Sequence, residues 1–212
     1  MVEKQRSDIL KIMAILSMLM DHIGYTFFPQ FIIFRIIGRI AFPVFTYQIA
    51  KGYLHTSNAR NYMIRIWIFA AISQAPFSLL FHTSTLNVLV TLGLALFVLD
   101  LYKKKHYLLM LLPLAASYFI PMDYSIFGPL LVLAFYVLRD RPWLSLMVQI
   151  VLIAGIVQVY HWPTQYYAVI GAILVIFLPV KYFNVRLPKY FFYWFYPVHL
   201  TILYLLSLAQ LS

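Results

Sequence analysis

The sequence predicts an all-α, polytopic transmembrane helix bundle, and three observations support that class. The chain has 212 residues, of which 64% are hydrophobic and only 10% are charged. A soluble domain carries about 25% charged residues, so this chain lacks the charge needed to coat a water-exposed surface. Long apolar runs recur along it, and basic residues fall in alternate connections between those runs. Together these features predict an integral membrane protein.

Nine apolar runs divide the chain, and a spanning helix needs about 20 apolar residues. The runs cover residues 8–28, 31–54, 61–81, 86–101, 106–120, 125–138, 143–160, 165–180 and 189–209. The fourth, fifth, sixth and eighth runs are shorter than a full span, which predicts small tilts or a locally thinned bilayer. Since no repeat, low-complexity tract or linker interrupts the series, we predict a single membrane domain over residues 1–212.

Charge in the connections predicts the orientation of the chain. Basic residues precede the first run and lie in every second connection after it, whereas the other connections carry no Lys or Arg. Because basic loops stay in the cytoplasm, this pattern predicts nine spans with the amino terminus inside and the carboxyl terminus outside. We expect the membrane to be the bacterial inner membrane. The net charge of +10 does not favour a nucleic-acid partner, because the cations form short clusters between apolar runs.

Ionisable residues concentrate in the stretch from Asp21 to Pro43, which also contains His22, Arg35 and Arg39. Each such group costs about 2.5–3.5 kcal/mol on insertion scales and persists only when it faces the bundle interior or a wet cavity. Arg35 and Arg39 are four residues apart and share a helical face, whereas His22 points about 100° away from Asp21. We therefore take this stretch as the candidate functional site.

Further polar residues fall at the same depth of the predicted topology, between the outer membrane face and the midplane. They are Gln74, Asn87, Asp123, Tyr124, Tyr196 and His199. A polar layer built from several separate runs favours a functional site, because scattered polar residues would not share one depth.

Each of these residues also has a purely structural interpretation. Asp21 pairing with either arginine would lock two helices together, and Gln74 and Asn87 would serve equally well as interhelical hydrogen-bonding groups. Asp123 would cap a helix that begins at Tyr124. No Ser–His–Asp order, Gly-rich phosphate loop or metal-ligand spacing appears, so no metal is predicted. The absence of cysteine excludes disulfides and thiolate chemistry.

Several segments together carry a resemblance to a known family. They are Leu10-Lys11-Ile12, Met20-Asp21-His22-Ile23-Gly24, residues 35–43, Gly52-Tyr53, Tyr62 with Arg65, residues 72–77, Leu86-Asn87, residues 123–128 and residues 191–200. In these segments the chain resembles the TraX family, named for a conjugative-pilin acetylase. It is more distantly similar to membrane acyltransferases of the acyltransferase-3 type. The resemblance covers most of the chain.

The resemblance implies acetyl transfer from acetyl-CoA to an amine or hydroxyl, such as a peptide or pilin amino terminus or a glycan. Acyl transfer needs a base for the acceptor and donors or positive charge for the oxyanion. His22 is the candidate base, and Arg39, Asn87 or Gln74 would stabilise the oxyanion. Asp21 would hold the cationic side of the site together. No residue has the setting of a covalent nucleophile, which favours direct transfer in a ternary complex.

We expect the two substrates to bind on opposite sides of the membrane. The candidate donor-binding residues are the cytoplasmic cations, which would bind the coenzyme phosphates or simply set topology: Lys51, Arg60, Arg65, Arg186 and Lys189. The candidate acceptor-binding residues lie in the outer layer: Arg35, Asp123, Tyr124, Tyr196 and His199.

Two other function classes are compatible with the same residues. A small proton-coupled transporter would use Asp, His and Arg as a relay, although the inverted repeats common in transporters are absent from the sequence. A non-catalytic membrane scaffold would have little need of so concentrated a polar layer. Turnover of acetyl-CoA by the purified protein separates the enzyme from both.

Overall fold

The protein is a bundle of α-helices in the computed structural model, which describes residues 2–178, 188 and 190–211. In chain order the helices are α1 (Val2–Phe27), α2 (Ile32–Gly38), α3 (Ala41–His55), α4 (Ala59–Phe81), α5 (Val88–Lys103), α6 (Leu111–Phe119), α7 (Phe127–Val137), α8 (Pro142–Tyr160), α9 (Ala168–Phe177) and α10 (Phe191–Leu211). A 3-10 helix, Pro163–Tyr167, leads into α9. Within the described ranges the β-type pairing is one isolated bridge between Leu86 and Met122.

Each of the nine apolar runs becomes helical, so the predicted all-α membrane bundle is confirmed. Five helical segments have the length and hydropathy to cross a membrane: Asp8–Phe27, Ile32–His55, Ala59–Phe81, Pro142–Tyr160 and Phe191–Gln210. Phe127–Val137 and Pro163–Phe177 are apolar but shorter. The number of spans and the sides of the two termini stay predictions from the charge pattern.

The second apolar run is not one helix, because the chain turns at Arg39 and Ile40 between α2 and α3. The Arg39 N–H bonds back to the Arg35 and Ile36 carbonyls, so the backbone groups at this break remain paired. A break at membrane depth is tolerated where it is buried in protein. It gives the two arginines of the run different backbone settings while keeping both on the side that faces α1.

Four helix ends are closed by short polar side chains or by left-handed turns. Asn58 caps α4 by accepting from the Asn61 N–H, and Asn87 caps α5 by accepting from the Leu89 N–H. His82 ends α4 and His161 ends α8 in the left-handed region, with φ of 49° and 54°. The ends at His82, Asn87 and His161 lie on the side of the polar layer, whereas Asn58 caps the opposite end of α4.

The main packing partners of α1 are three other helices. It contacts α2, α3 and α10, while α10 also packs on α4 and α3 packs on α7 and α9. The approach of α1 to α2 is close because Gly24 faces Phe34, and a Cβ at position 24 would collide with that side chain. The polar groups of α1, α2 and α10 consequently meet in one place.

Candidate active site

A buried carboxylate between two guanidinium groups forms the centre of the site. Arg35 donates to Asp21 across 2.9 Å, and Arg39 donates to the other oxygen of Asp21 across 2.5 Å. Asp21 and Arg39 are each 8% exposed, so both are taken out of water. Because the i, i+4 spacing of the arginines puts both on the α1 side, one carboxylate ties the α2–α3 break to α1.

Small neighbours make room for this cluster. Gly38 lies beside Asp21, and a Cβ at that position would collide with the carboxylate. Ser17, one turn before Asp21, donates its hydroxyl to the Ile37 carbonyl at 2.6 Å. The same face of α1 therefore supplies both the ion pairs and the hydrogen bond that hold the carboxyl-terminal end of α2.

Gln165 completes the shell around Arg39 and was not singled out in the sequence. Its side-chain carbonyl accepts a hydrogen bond from Arg39 at 3.2 Å, and the residue is 1% exposed. The Arg39 Nε–H also donates to the Arg35 carbonyl. Three partners thus occupy the Arg39 guanidinium, which suits a positioning role for this residue. The signal in the sequence is weak, since Gln165 is the first residue of the eighth apolar run.

His22 and His199 are in direct contact although 177 residues separate them in sequence. His22 Nδ1 lies 2.8 Å from His199 Nε2. His199 Nδ1 lies 2.7 Å from the carbonyl of Phe195, one turn earlier on α10. His22 is half-buried, whereas His199 is 5% exposed. The structure therefore places His199 behind His22 rather than at an open surface.

A cavity of about 810 Å³ lies against this polar centre, and we call it the outer cavity after the side that the predicted topology assigns to it. It is lined by Asp21, His22, Arg35, Arg39, Asp123, Tyr124 and Tyr196, together with aromatic residues of α1, α3, α4, α6 and α8 and with Trp162. All of the predicted catalytic and acceptor-binding residues except Gln74, Asn87 and His199 line this cavity. The structure thus brings most of that predicted set together.

The connection between α6 and α7 carries Asp123 into the outer cavity. The Asp123 N–H bonds to the Leu86 carbonyl, and the Leu86 N–H bonds to the Pro121 carbonyl. Tyr124 and Ser125 follow in the left-handed region, with φ of 61° and 43°, a conformation that is costly for such residues and is often found at functional sites. Burial raises the pKa of the Asp123 carboxyl to about 7.

The capping role considered for Asp123 is wrong, because α7 begins at Phe127 and the residue before it, Ile126, makes no side-chain cap. Tyr124 is not at a helix start either. Its ring stacks on Phe42 with the planes 6° apart. The left-handed turn at Tyr124 and Ser125 delays the helix and leaves the Asp123 side chain at the cavity.

Gln74 and Asn87 form a hydrogen-bonded pair between α4 and α5, outside the residues that line the outer cavity. Asn87 donates to the Ala70 carbonyl and to the Gln74 side chain, both at 2.8 Å. Gln74 in turn donates to Ser78 and to the Thr85 carbonyl. With its own cap to Leu89, Asn87 has its amide fully engaged. These contacts match the interhelical role that was one of the two interpretations of the pair.

A second cavity of about 660 Å³, the inner cavity, opens at the other end of the bundle. Lys51 and Arg65 of the predicted donor-binding set line it, together with Lys11, which is not a member of that set. Arg65 lies over the Tyr62 ring. Arg60 is exposed and does not line the cavity. Arg186 and Lys189 lie outside the described residues.

The two cavities share a wall of four side chains. Met18, Phe45, Val88 and Tyr196 line both of them. Tyr196 lies on α10 and Val88 is the first residue of α5, so both helices contribute to this wall. These mostly apolar side chains thus lie at the boundary between the cavity lined by Lys11, Lys51 and Arg65 and the cavity lined by His22 and Asp21.

One face of α1 runs along both cavities. Lys11, Ile15 and Met18 line the inner cavity, and Met18, His22 and Tyr25 line the outer one. These residues follow the three-and-four spacing of a single helical face. Lys11 and His22 are eleven residues apart, which is about 16 Å of helix. α1 therefore holds a cation at one end of the path and an imidazole just beyond the shared wall.

These features define a class of protein, namely a polytopic membrane protein with two cavities at opposite ends of a helix bundle. Its buried polar centre borders the outer cavity, and lysine and arginine side chains line the inner one. Among the described residues, no group of three His, Cys, Asp or Glu side chains is placed to hold a metal ion. The chain belongs to the TraX family, since the family model described as TraX protein matches residues 6–207.

Two curated proteins are similar to this chain. A probable fimbrial assembly protein FimC of Dichelobacter nodosus is 27% identical over an alignment of 235 residues, gaps included. The alignment covers 92% of this chain and 92% of that protein. An uncharacterized protein of Rickettsia prowazekii is 39% identical over 88 residues, which cover 41% of this chain and 34% of that protein. No solved structure matches.

Replacing Asp21 by Asn tests the ion-pair cluster. The change leaves two arginines without a buried anion, and breaking a buried pair costs about 3–5 kcal/mol. We expect a clear loss of thermal stability in detergent for D21N. Asp140 is the matched control, because its side chain is 83% exposed and pairs with Arg139 at the surface. D140N is expected to melt like the wild type, and equal melting of D21N would contradict the importance of the cluster.

Proposed function

We propose that this protein is a membrane acetyltransferase that moves an acetyl group from acetyl-CoA in the inner cavity to an amine or hydroxyl acceptor in the outer cavity. The observation that carries the proposal is the shared wall of Met18, Phe45, Val88 and Tyr196 beside His22. A base placed next to the boundary of two substrate-sized cavities can serve a direct transfer between them. Membership of a family named for a pilin acetylase supports the same reaction.

The inner cavity has the chemistry of a site for a phosphorylated, partly apolar donor. Lys11, Lys51 and Arg65 line it among mostly apolar walls, and Arg and Lys are the usual partners of phosphate. From Lys11 to His22 the path along α1 is about 16 Å, which is within the roughly 15–20 Å that an extended pantetheine arm spans. With its phosphates at the cations, the thioester would reach the shared wall.

His22 would act as the general base for the acceptor. The acceptor N–H or O–H gives its proton to the His22 ring nitrogen that His199 does not occupy. The freed electron pair forms a bond to the thioester carbonyl carbon. Collapse of the tetrahedral intermediate breaks the C–S bond, and the thiolate of coenzyme A takes the proton back from His22. The imidazole is neutral again after each cycle, and no covalent intermediate with the protein is required.

Arg35 would stabilise the oxyanion of the intermediate better than Arg39. Arg39 already has three partners in Asp21, Gln165 and the Arg35 carbonyl. Arg35 donates to Asp21 through one nitrogen, lies over the Tyr25 ring and lines the outer cavity. Its side chain is 34% exposed, so it retains N–H groups that face the substrate. Asp21 then holds both guanidinium groups in place.

The outer cavity suits an amine acceptor with an apolar neighbour. Asp123 supplies a carboxyl group with a pKa near 7. In its ionised form it would bind an ammonium acceptor and take the first proton, so that the neutral amine gives its second proton to His22. Aromatic residues such as Tyr25, Phe81 and Trp162 line the rest of the cavity. A peptide amino terminus fits this combination, as does a sugar hydroxyl stacked on an aromatic ring. The similarity to a probable fimbrial assembly protein favours a peptide of a surface fibre as acceptor.

Removal of the His22 imidazole is the direct test of this mechanism. We expect H22A to lower acetyl transfer by about 10²–10⁴-fold, the usual effect of losing a general base, with membrane insertion and helix content unchanged. Mass spectrometry of the acetylated acceptor and release of the coenzyme A thiol are the two measurements. H106A is the control, because His106 is exposed in the connection between α5 and α6. Full turnover of H22A would exclude His22, and proton-coupled flux without turnover would favour a transporter.

Two arginines of α4, one inside the inner cavity and one outside it, give a matched test of the donor site. Arg65 lines the inner cavity and Arg60, five residues earlier, is exposed away from it. A hydrogen bond to a charged group contributes about 1.5–3 kcal/mol, so R65Q is expected to raise the KM for acetyl-CoA about tenfold or more while kcat stays near normal. R60Q should leave both constants unchanged. Equal effects of the two substitutions would assign these residues to topology alone.

A further inference from the structure

His199 contacts the imidazole of His22 from the side away from the outer cavity. Its ring is 5% exposed and packs against Phe195 at a centroid distance of 4.7 Å. It is absent from the residues that line the cavity, so it is not placed to touch an acceptor. Its role in any reaction must therefore run through His22.

The two imidazoles meet edge to edge in nearly one plane. Their planes differ by 8° and their centroids are 5.1 Å apart. That separation equals the 2.8 Å nitrogen contact extended by a ring radius of about 1.2 Å at each end, so the two nitrogens point at each other. An in-plane approach is what a nitrogen lone pair requires to accept an N–H hydrogen bond.

The backbone of α10 decides which of the two nitrogens donates. A carbonyl oxygen only accepts, so the 2.7 Å contact to Phe195 requires a proton on His199 Nδ1. The described contacts of His199 include ring faces and this carbonyl but no carboxylate, and a buried charge without a partner is costly. In the neutral ring Nε2 then carries a lone pair. His22 must donate from Nδ1, which leaves the lone pair of His22 on Nε2.

We propose that His199 is a positioning residue that fixes His22 in the tautomer whose Nε2 is the free base, and this inference rests on the proposed acetyl transfer. Which nitrogen of a histidine is protonated is set by the hydrogen bond that the other nitrogen makes. When His22 Nε2 takes the proton of the acceptor, the Nδ1–H of the resulting imidazolium still donates to His199. The proton then leaves from Nε2 to the thiolate, and both rings return to their starting tautomers.

Two substitutions at position 199 separate this role from packing. H199F keeps an aromatic ring beside Phe195 but offers no lone pair to His22, whereas H199Q places a side-chain carbonyl near the former Nε2. We expect H199F to lower kcat about 10²-fold or more, comparable to the loss of a tautomer-fixing partner in other enzymes, with both KM values unchanged. H199Q is expected to restore most of kcat. A purely structural role would make the two variants alike.

Nitrogen-15 NMR of the histidine-labelled protein in detergent reads the tautomer directly and needs no substrate. The His22 signals, assigned by their loss in H22N, are expected to show a protonated Nδ1 and an unprotonated Nε2, and H199F should shift them towards the opposite tautomer. A protonated His22 Nε2 in the wild type, or full kcat in H199F, would overturn the inference and leave the proposed function standing. Absence of acetyl transfer by the wild type would overturn the proposed function and this inference with it.

Discussion

The carboxylate of Asp21, held between Arg35 and Arg39 inside the membrane, is the interaction on which the rest of the structure depends. A single buried charge at this depth would oppose folding, and two cations with one anion still leave a net positive centre. The proposed stabilisation of a thioester oxyanion rests on that net positive charge. The same ion pairs hold the α2–α3 break against α1, so stability and electrostatics have one source.

Helix α1 borders both cavities and so connects the two ends of the bundle. Asp21 makes the ion pairs with Arg35 and Arg39 and also borders the outer cavity, while the neighbouring face, with Lys11, Met18 and His22, lines the two cavities in succession. One helix thereby sets the distance between Lys11 in the inner cavity and His22 in the outer cavity, which the proposed transfer assigns to the donor phosphates and the base. Met18 and Tyr196 line both cavities, and the proposal places the reacting thioester at this boundary.

Much of the fold and part of the site could be predicted from the sequence. Apolar runs of helical length and the four-residue spacing of Arg35 and Arg39 are local signals, so the bundle and the cationic face followed from them. The contact between His22 and His199 spans the whole chain and depends on how α10 packs, which no local pattern encodes. Asn87 and Gln74 had the right depth, but only their partners show that they bind each other.

The most direct measurement uses sealed proteoliposomes with the protein in one known orientation. Labelled acetyl-CoA is supplied only on the side of Lys11 and the inner cavity, and an impermeant peptide amine only on the side of Asp123 and the outer cavity. Labelled peptide in the second compartment, with coenzyme A thiol released in the first and both lost in H22A, is the predicted result. Product that forms only when both substrates share one side, or no product in any arrangement, would contradict transfer between the two cavities.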